Sequence, residues 1–204
     1  WRRADGGSAQ TTPARLRVFE RVYNPSGSDS WVKIGGDLPS GGAGFNEGQS
    51  SSTSISHDGS IVSFSGGGEN FCWLKVFQYN EDSSSWEQMG STFTVDMTDF
   101  FCGTTLGDLS NDGLSIAVRH SWYSSMADSK YTPATVDLRR WDPSSSSWAF
   151  VDGTRLVEPY NTYYNTEFGS DVSLAGNITR LAVGIKNAHA SEQHNGKVQV
   201  FDYG

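Results

Sequence analysis

Cysteine, methionine and positive charge are all scarce in this sequence. The two cysteines, Cys72 and Cys102, have neither a Cys-x-x-Cys spacing nor clustered histidine around them, so no metal site is expected. With 15 Lys+Arg against 23 Asp+Glu the formal net charge is −8, and no run of basic residues occurs. A nucleic-acid or anionic-membrane footprint is therefore missing. No apolar stretch approaches the roughly 18 residues of a membrane-spanning helix. The chain begins at Trp1, without an initiator Met or a charged-then-apolar leader, so a processed or excised segment is expected. GxSxG, HExxH and P-loop patterns are absent as well. Together these absences argue against an enzyme, and no cofactor is expected.

What the chain has instead is 23 glycines, 13% aromatic residues and only 3 Met, a composition suited to short strands and tight turns, and hence to an all-β protein. Three strings align: YNPSGSDSWVKIG (23–35), YNEDSSSWEQMG (79–90) and WDPSSSSWAFVDG (141–153), each an aromatic, Asn or Asp, a Ser-rich turn and Trp. A second marker keeps phase with them: SISHDGSIVSF (54–64), GDLSNDGLSIAV (107–118) and VSLAGNITRLAV (172–183). From Trp31, Trp86 and Trp148 to the turn residues Asp58, Asp112 and Asn177 the steps are 27, 26 and 29 residues. Two markers in phase define a tandem repeat. The step from Asp112 to Trp148 is 36 residues against 28 from Asp58 to Trp86, an excess that reads as a loop insertion at 122–130.

Each repeat parses into four strands by alternation and turn chemistry. Strand a is STSIS, TLGDLS or DVSLA; Asp-Gly or Gly-Asn pairs make the following hairpin turn. Strand b carries Val62/Phe64, Ile116/Val118 or Leu181/Val183 on one face, with the small Ser63, Ala117 or Ala182 between them. Strand c is WLKVFQY, ATVDLRRW or KVQVFDY, and strand d begins at the Trp. Antiparallel four-stranded units repeating every 54 to 65 residues predict a segment of a β-propeller with about three blades. The expected division is a partial blade, strands c-d, at 1–50, blades at 51–94 and 95–157, and a partial blade, strands a-b-c, at 158–204. Since propellers have about four to eight blades, the partners expected are other protein chains or the remainder of the same polypeptide. A β-sandwich or open stack of sheets is the competing architecture.

The pattern SxSxDGxxxAV, VxVFxYN, SSSWxxxG resembles the integrin-α-like, FG-GAP-related propeller repeats of secreted and surface proteins of marine microalgae and bacteria. The resemblance implies an extracellular or cell-surface propeller for adhesion, recognition or scaffolding, without chemistry of its own. Calcium-binding repeats of that kind carry several spaced aspartates. SHDGS, SNDGL and AGNIT do not, so no calcium site is transferred. Kelch repeats are the runner-up, but their double glycine after strand b occurs only at Gly66-Gly67.

Loop length points to where binding would lie. The a-b and c-d turns are short, whereas the d-a connections (39–49, 95–101, 157–167) and b-c connections (122–130, 186–195) are long and, in an up-and-down sheet, emerge at one end. Two are aromatic, giving Trp122, Tyr123, Tyr160, Asn161, Tyr163 and Tyr164 as candidate contacts for a glycan or protein. The alternative is that these aromatics fasten the loops to the blades. Loop carboxylates Asp96, Asp99, Glu158 and Glu167 are the candidates for a rival function, glycosidase-like catalysis. Cys72 opens a strand c and Cys102 the following strand a, which leaves either a disulfide or two buried thiols. The histidines His57, His120, His189 and His194 are scattered. Asn177-Ile178-Thr179 is an N-glycosylation sequon in a turn, consistent with a secretory route.

Overall fold

The computed structural model describes residues 15–39, 52–67, 71–96, 100–102, 107–120, 122–124, 134–157, 167–186 and 196–203. Every regular element among them is a strand. The first sheet pairs β1 (Arg15–Val22) with β2 (Ser30–Pro39). The second runs β3 (Thr53–Ile55), β4 (Ile61–Gly67), β5 (Phe71–Asn80), β6 (Ser85–Gln88), with β7 (Phe93–Asp96) also on β5. After the short β8 (Phe100–Cys102), the third sheet repeats this order with β9 (Gly107–Leu109), β10 (Ser115–His120), β12 (Thr135–Asp142) and β13 (Ser147–Phe150), plus β14 (Leu156–Val157) on β12. Between β10 and β12 lies β11 (Trp122–Ser124), which pairs with β8. The fourth sheet is β15 (Glu167–Leu174), β16 (Arg180–Lys186) and β17 (Lys197–Asp202). Every pairing is antiparallel, and the a-b-c-d order read from the sequence recurs.

Two features depart from the sequence reading. Strand d is not one strand in the second and third sheets: β6 and β7 both lie on β5, and β13 and β14 both lie on β12. The break follows the Trp at Gly90 and Gly153, whose φ values of 70° and 75° belong to the left-handed region that glycine enters without a Cβ penalty. The second departure concerns the supposed insertion. Its start forms β11, and Cys102, expected to open strand a, ends β8 instead, in a separate two-stranded ribbon.

The apolar side chains fill the spaces between successive sheets. Val18 and Leu38 of the first meet Val62, Phe64, Trp73 and Phe77 of the second. Leu74, Val76 and Met89 of the second meet Leu109, Ile116, Val118 and Trp148 of the third. Ala117, Val136 and Leu138 of the third meet Phe168, Val172, Leu174 and Val183 of the fourth. Period-two alternation along the strands explains this: Trp73 and Phe77 face one neighbour and Leu74 and Val76 the other, so each inner sheet is buried on both faces.

Candidate binding surfaces

The conserved spacing of Trp and Asp markers is explained by how one sheet grips the next. Trp86 Nε1 donates to the Ile34 carbonyl at 3.1 Å, and Trp148 Nε1 to the Met89 carbonyl at 3.0 Å. In both cases the residue after the accepting carbonyl is a positive-φ glycine, Gly35 or Gly90. A Cβ on Gly35 would lie 2.6 Å from the Trp86 ring, and one on Gly90 would lie 3.0 Å from Trp141 and 3.3 Å from Trp148. The bulge thus opens a slot for the indole. Trp31 occupies the same register in the first sheet, opposite Arg21, and is 69% exposed.

At the short-turn end the polar residues satisfy one another. Asp58 accepts from Ser56 Oγ (2.7 Å), the Ser60 amide (2.9 Å) and Ser60 Oγ (2.8 Å), which hold its carboxyl down at about 2. For Asp112, burial pushes the carboxyl up, but hydrogen bonds from Ser110 Oγ and the Leu114 amide outweigh it and leave a net lowering. Asn177 takes the same place in the fourth sheet: it is exposed and accepts from Thr179 Oγ1 at 2.8 Å. In the c-d turn, Asp142 accepts from Ser144 and Ser145, and Asn80 and Asn24 cap the earlier turns likewise. These serines and carboxylates are turn chemistry.

At the opposite end, β8 and β11 pair Phe100 with Ser124, Phe101 with Tyr123 and Cys102 with Trp122. A d-a connection and a b-c connection, 20 residues apart in sequence, therefore meet, as the loop geometry requires. The backbones of Trp122 and Tyr123 are placed by this ribbon; their side chains, and those of Cys72, Cys102, Asp96 and Glu167, lie outside the described residues. Tyr160, Asn161, Tyr163, Tyr164, Asp99, Glu158, His189 and His194 also lie outside them. Among the described residues, no three His, Cys, Asp or Glu side chains form a group able to hold a metal ion.

A buried ionic group escaped the sequence reading. Asp137, 2% exposed in mid-β12, accepts from Arg139 Nε at 2.8 Å and lies 3.4 Å from His120 Nε2, an ion-pair distance without hydrogen-bond alignment. Burial raises its pKa, but His120 and Arg139 outweigh that and keep it below the usual carboxylate value. A carboxylate so held stays ionised at neutral pH, which unsuits it for a general acid. The available signal was positional: Arg17, Lys75 and Asp137 share one register position of strand c, so a charge recurs there on a sheet face.

The third surface is a groove of about 540 Å³ beside β1, lined by Leu16, Val18, Phe19, Trp31, Ile55 and Val62 among others. Its walls are mainly aliphatic and aromatic, with Arg17, Thr53 and Ser54 among the lining residues. Arg17, Lys33 and Arg15 converge on Asp37 in the β2 bulge, which holds that carboxyl well below its ordinary range, chiefly through the Arg17 hydrogen bond. The chain matches no protein-family model, no curated protein and no solved structure.

Proposed function

We propose that this chain is part of a non-enzymatic, extracellular β-propeller of the integrin-α-like kind, which recognises a protein or a glycan with the end that bears its long connections. The observation that carries the reading is the β8–β11 ribbon, where the long connection entering strand a of the third sheet is joined to the long connection between its strands b and c. Supporting it, the recurring four-strand order and the Trp-to-carbonyl grip at two junctions are features expected of blades packed in series. The short-turn end is polar and internally satisfied, so it offers a partner few free groups. Irregular loops on a rigid scaffold are where recognition evolves, and Trp122 and Tyr123 carry aromatic rings suited to sugar stacking or a protein hot spot.

A glycan array probed with the intact chain tests this, with Trp122→Ala/Tyr123→Ala and Tyr160→Ala/Tyr163→Ala/Tyr164→Ala variants beside it. Binding that falls at least tenfold in either variant is expected. Release of reducing sugar from any bound glycan, abolished by Glu158→Gln or Glu167→Gln, would refute the non-enzymatic assignment and favour the glycosidase-like one. No glycan binding, with no partner dependent on these aromatics, would remove the recognition role.

A further inference from the structure

The junctions of the third sheet with the second and with the fourth follow one rule, and the second sheet, where it faces the first, exposes one unmatched half of it. In strand a, the Leu109 amide donates to Ser54 Oγ of the preceding sheet at 3.0 Å, and the Leu174 amide to Asp108 Oδ2 at 2.7 Å. One turn further, the His57 amide donates to the Asn111 carbonyl at 2.8 Å, and the Asn111 amide to the Gly176 carbonyl at 3.2 Å. Leu109 and Leu174 are thereby buried, at 6% and 7% exposure.

Ile55 holds the same register, opposite Val62 as Leu109 is opposite Ile116 and Leu174 opposite Leu181. Yet Ile55 is 54% exposed. Among the described residues β1 pairs only with β2, whereas its counterparts β5 and β12 each carry a strand b on the opposite edge. The groove beside β1 lies between that edge and Ile55.

We propose that this groove takes an a-b hairpin of the chain's own repeat type, with the pattern Ser-aliphatic-Ser-x-Asp-Gly seen at 54–59, as a strand addition to β1. The proposal rests on the assembly reading above and names the partner's chemistry. The second strand of the hairpin pairs with β1. Its first strand places a Ser or Asp oxygen to accept the Ile55 amide, as Ser54 and Asp108 do for Leu109 and Leu174, and its turn amide donates to the His57 carbonyl. Continuity with the two existing junctions selects this occupant over an unrelated apolar peptide. A second whole copy supplies no such hairpin free, since β15–β16 is already paired with β17.

The test is hydrogen exchange on the intact chain, alone and with a synthetic peptide of residues 52–67. A second form carries an extra copy of 52–67 ahead of Trp1, which raises the effective concentration to about millimolar. At least tenfold slower exchange in β1 and at Ile55 is expected with the fused hairpin. The effect should be lost when Ile55→Glu is introduced in the host repeat and weakened severalfold by Ser54→Ala in the added hairpin. Unchanged exchange in the fused form overturns the proposal, as does protection indifferent to Ile55→Glu. Protection in the unfused chain that rises with its own concentration assigns the face to a second copy. Protection abolished by removing residues 1–14 assigns it to that segment. Either result also overturns the proposal. Glycan binding at the loop end should be unaffected by Ile55→Glu, so failure here and failure of the recognition role are separable.

Discussion

Truncating the three repeat-equivalent tryptophans to alanine should cost very different amounts, because only two have a preceding sheet to grip. Trp148 is 9% exposed, touches Trp141 and Phe93 at ring-centroid distances of 5.4 and 6.1 Å, and donates to the Met89 carbonyl. Removing a buried indole costs about 3–5 kcal/mol, and stranding the Met89 carbonyl puts Trp148→Ala towards the upper part of that range. Trp86 is half-buried and bonded to Ile34, so Trp86→Ala falls below it. Trp31 is 69% exposed, and its loss should stay within about 0.5 kcal/mol, as for other surface substitutions. In a chain of this size each kcal/mol moves Tm by about 2–4 °C. Thermal unfolding followed by far-UV circular dichroism at one scan rate should therefore show a fall of about 6–20 °C for Trp148→Ala and under about 2 °C for Trp31→Ala. Trp148→Phe keeps most of the ring contact and should lose only about 1–2 kcal/mol with the hydrogen bond. Equal losses at Trp31 and Trp148 would refute the junction argument, since the sequence context of the two is nearly the same.

The a-b turns give a cleaner comparison: Gly59 and Gly113 have φ of 78° and 69°, but a Cβ at Gly59 meets nothing within 4 Å while one at Gly113 lies 2.7 Å from Ile61. Urea denaturation should show Gly59→Ala costing about 1–2 kcal/mol from backbone strain alone, and Gly113→Ala about 1–3 kcal/mol more from overpacking; equal costs would contradict the inter-sheet contact at Gly113. Ser63 is fully buried and its hydroxyl has no hydrogen-bond partner among the described residues, so Ser63→Ala should stabilise by about 1 kcal/mol, and a measured loss would mean that the hydroxyl is bonded. Acid should weaken the a-b turn. Asp58 titrates at about 2 in the folded chain against about 3.9 when unfolded, so the unfolded state binds the proton first and stability falls as pH drops from about 4 to about 2. Asp58→Asn should flatten that part of a stability-versus-pH curve, and an unchanged slope would show that the carboxylate is not the group responsible.

The strand order was legible because its signals are local. Alternation in IVSFS, LSIAV and RLAVG and the Asp-Gly turns need no knowledge of distant residues, and the meander follows from short connections. What stayed hidden depended on partners far along the chain. The glycines of strand d read as ordinary strand ends until Trp86 and Trp148 are found lying against them, 51 and 58 residues away from Gly35 and Gly90. The β8–β11 ribbon joins two stretches that read as loops, since neither FFC nor WYS is long enough to show a period. Asp137 had only a positional signal, the charge recurring at that place in strand c; its burial depends on the sheet facing β12, and its ionic partners on Arg139 and His120 reaching it.

Polar residues, and not apolar area alone, fix how the sheets sit against one another. The Leu109 amide donates to Ser54 Oγ, Ser54 Oγ donates to Asp108 Oδ1 at 2.8 Å, and Asp108 Oδ2 accepts the Leu174 amide, so one relay ties strands β3, β9 and β15. Ser54 and Asp108 are different residues at one register position because their surroundings ask different things. The serine hydroxyl can donate and accept at once, whereas the carboxylate can only accept, and has two oxygens with which to serve both neighbours. Sliding one sheet over the next by about 3.3 Å, one residue along the strand, would keep apolar contact but would carry the Leu109 and Leu174 amides out of reach of Ser54 Oγ and Asp108 Oδ2. The register of the junctions on either side of the third sheet is therefore set in the a strands, close to the short-turn end. That leaves the connections at the far end free to vary in length, as the ribbon between β8 and β11 does, without disturbing how the sheets are stacked.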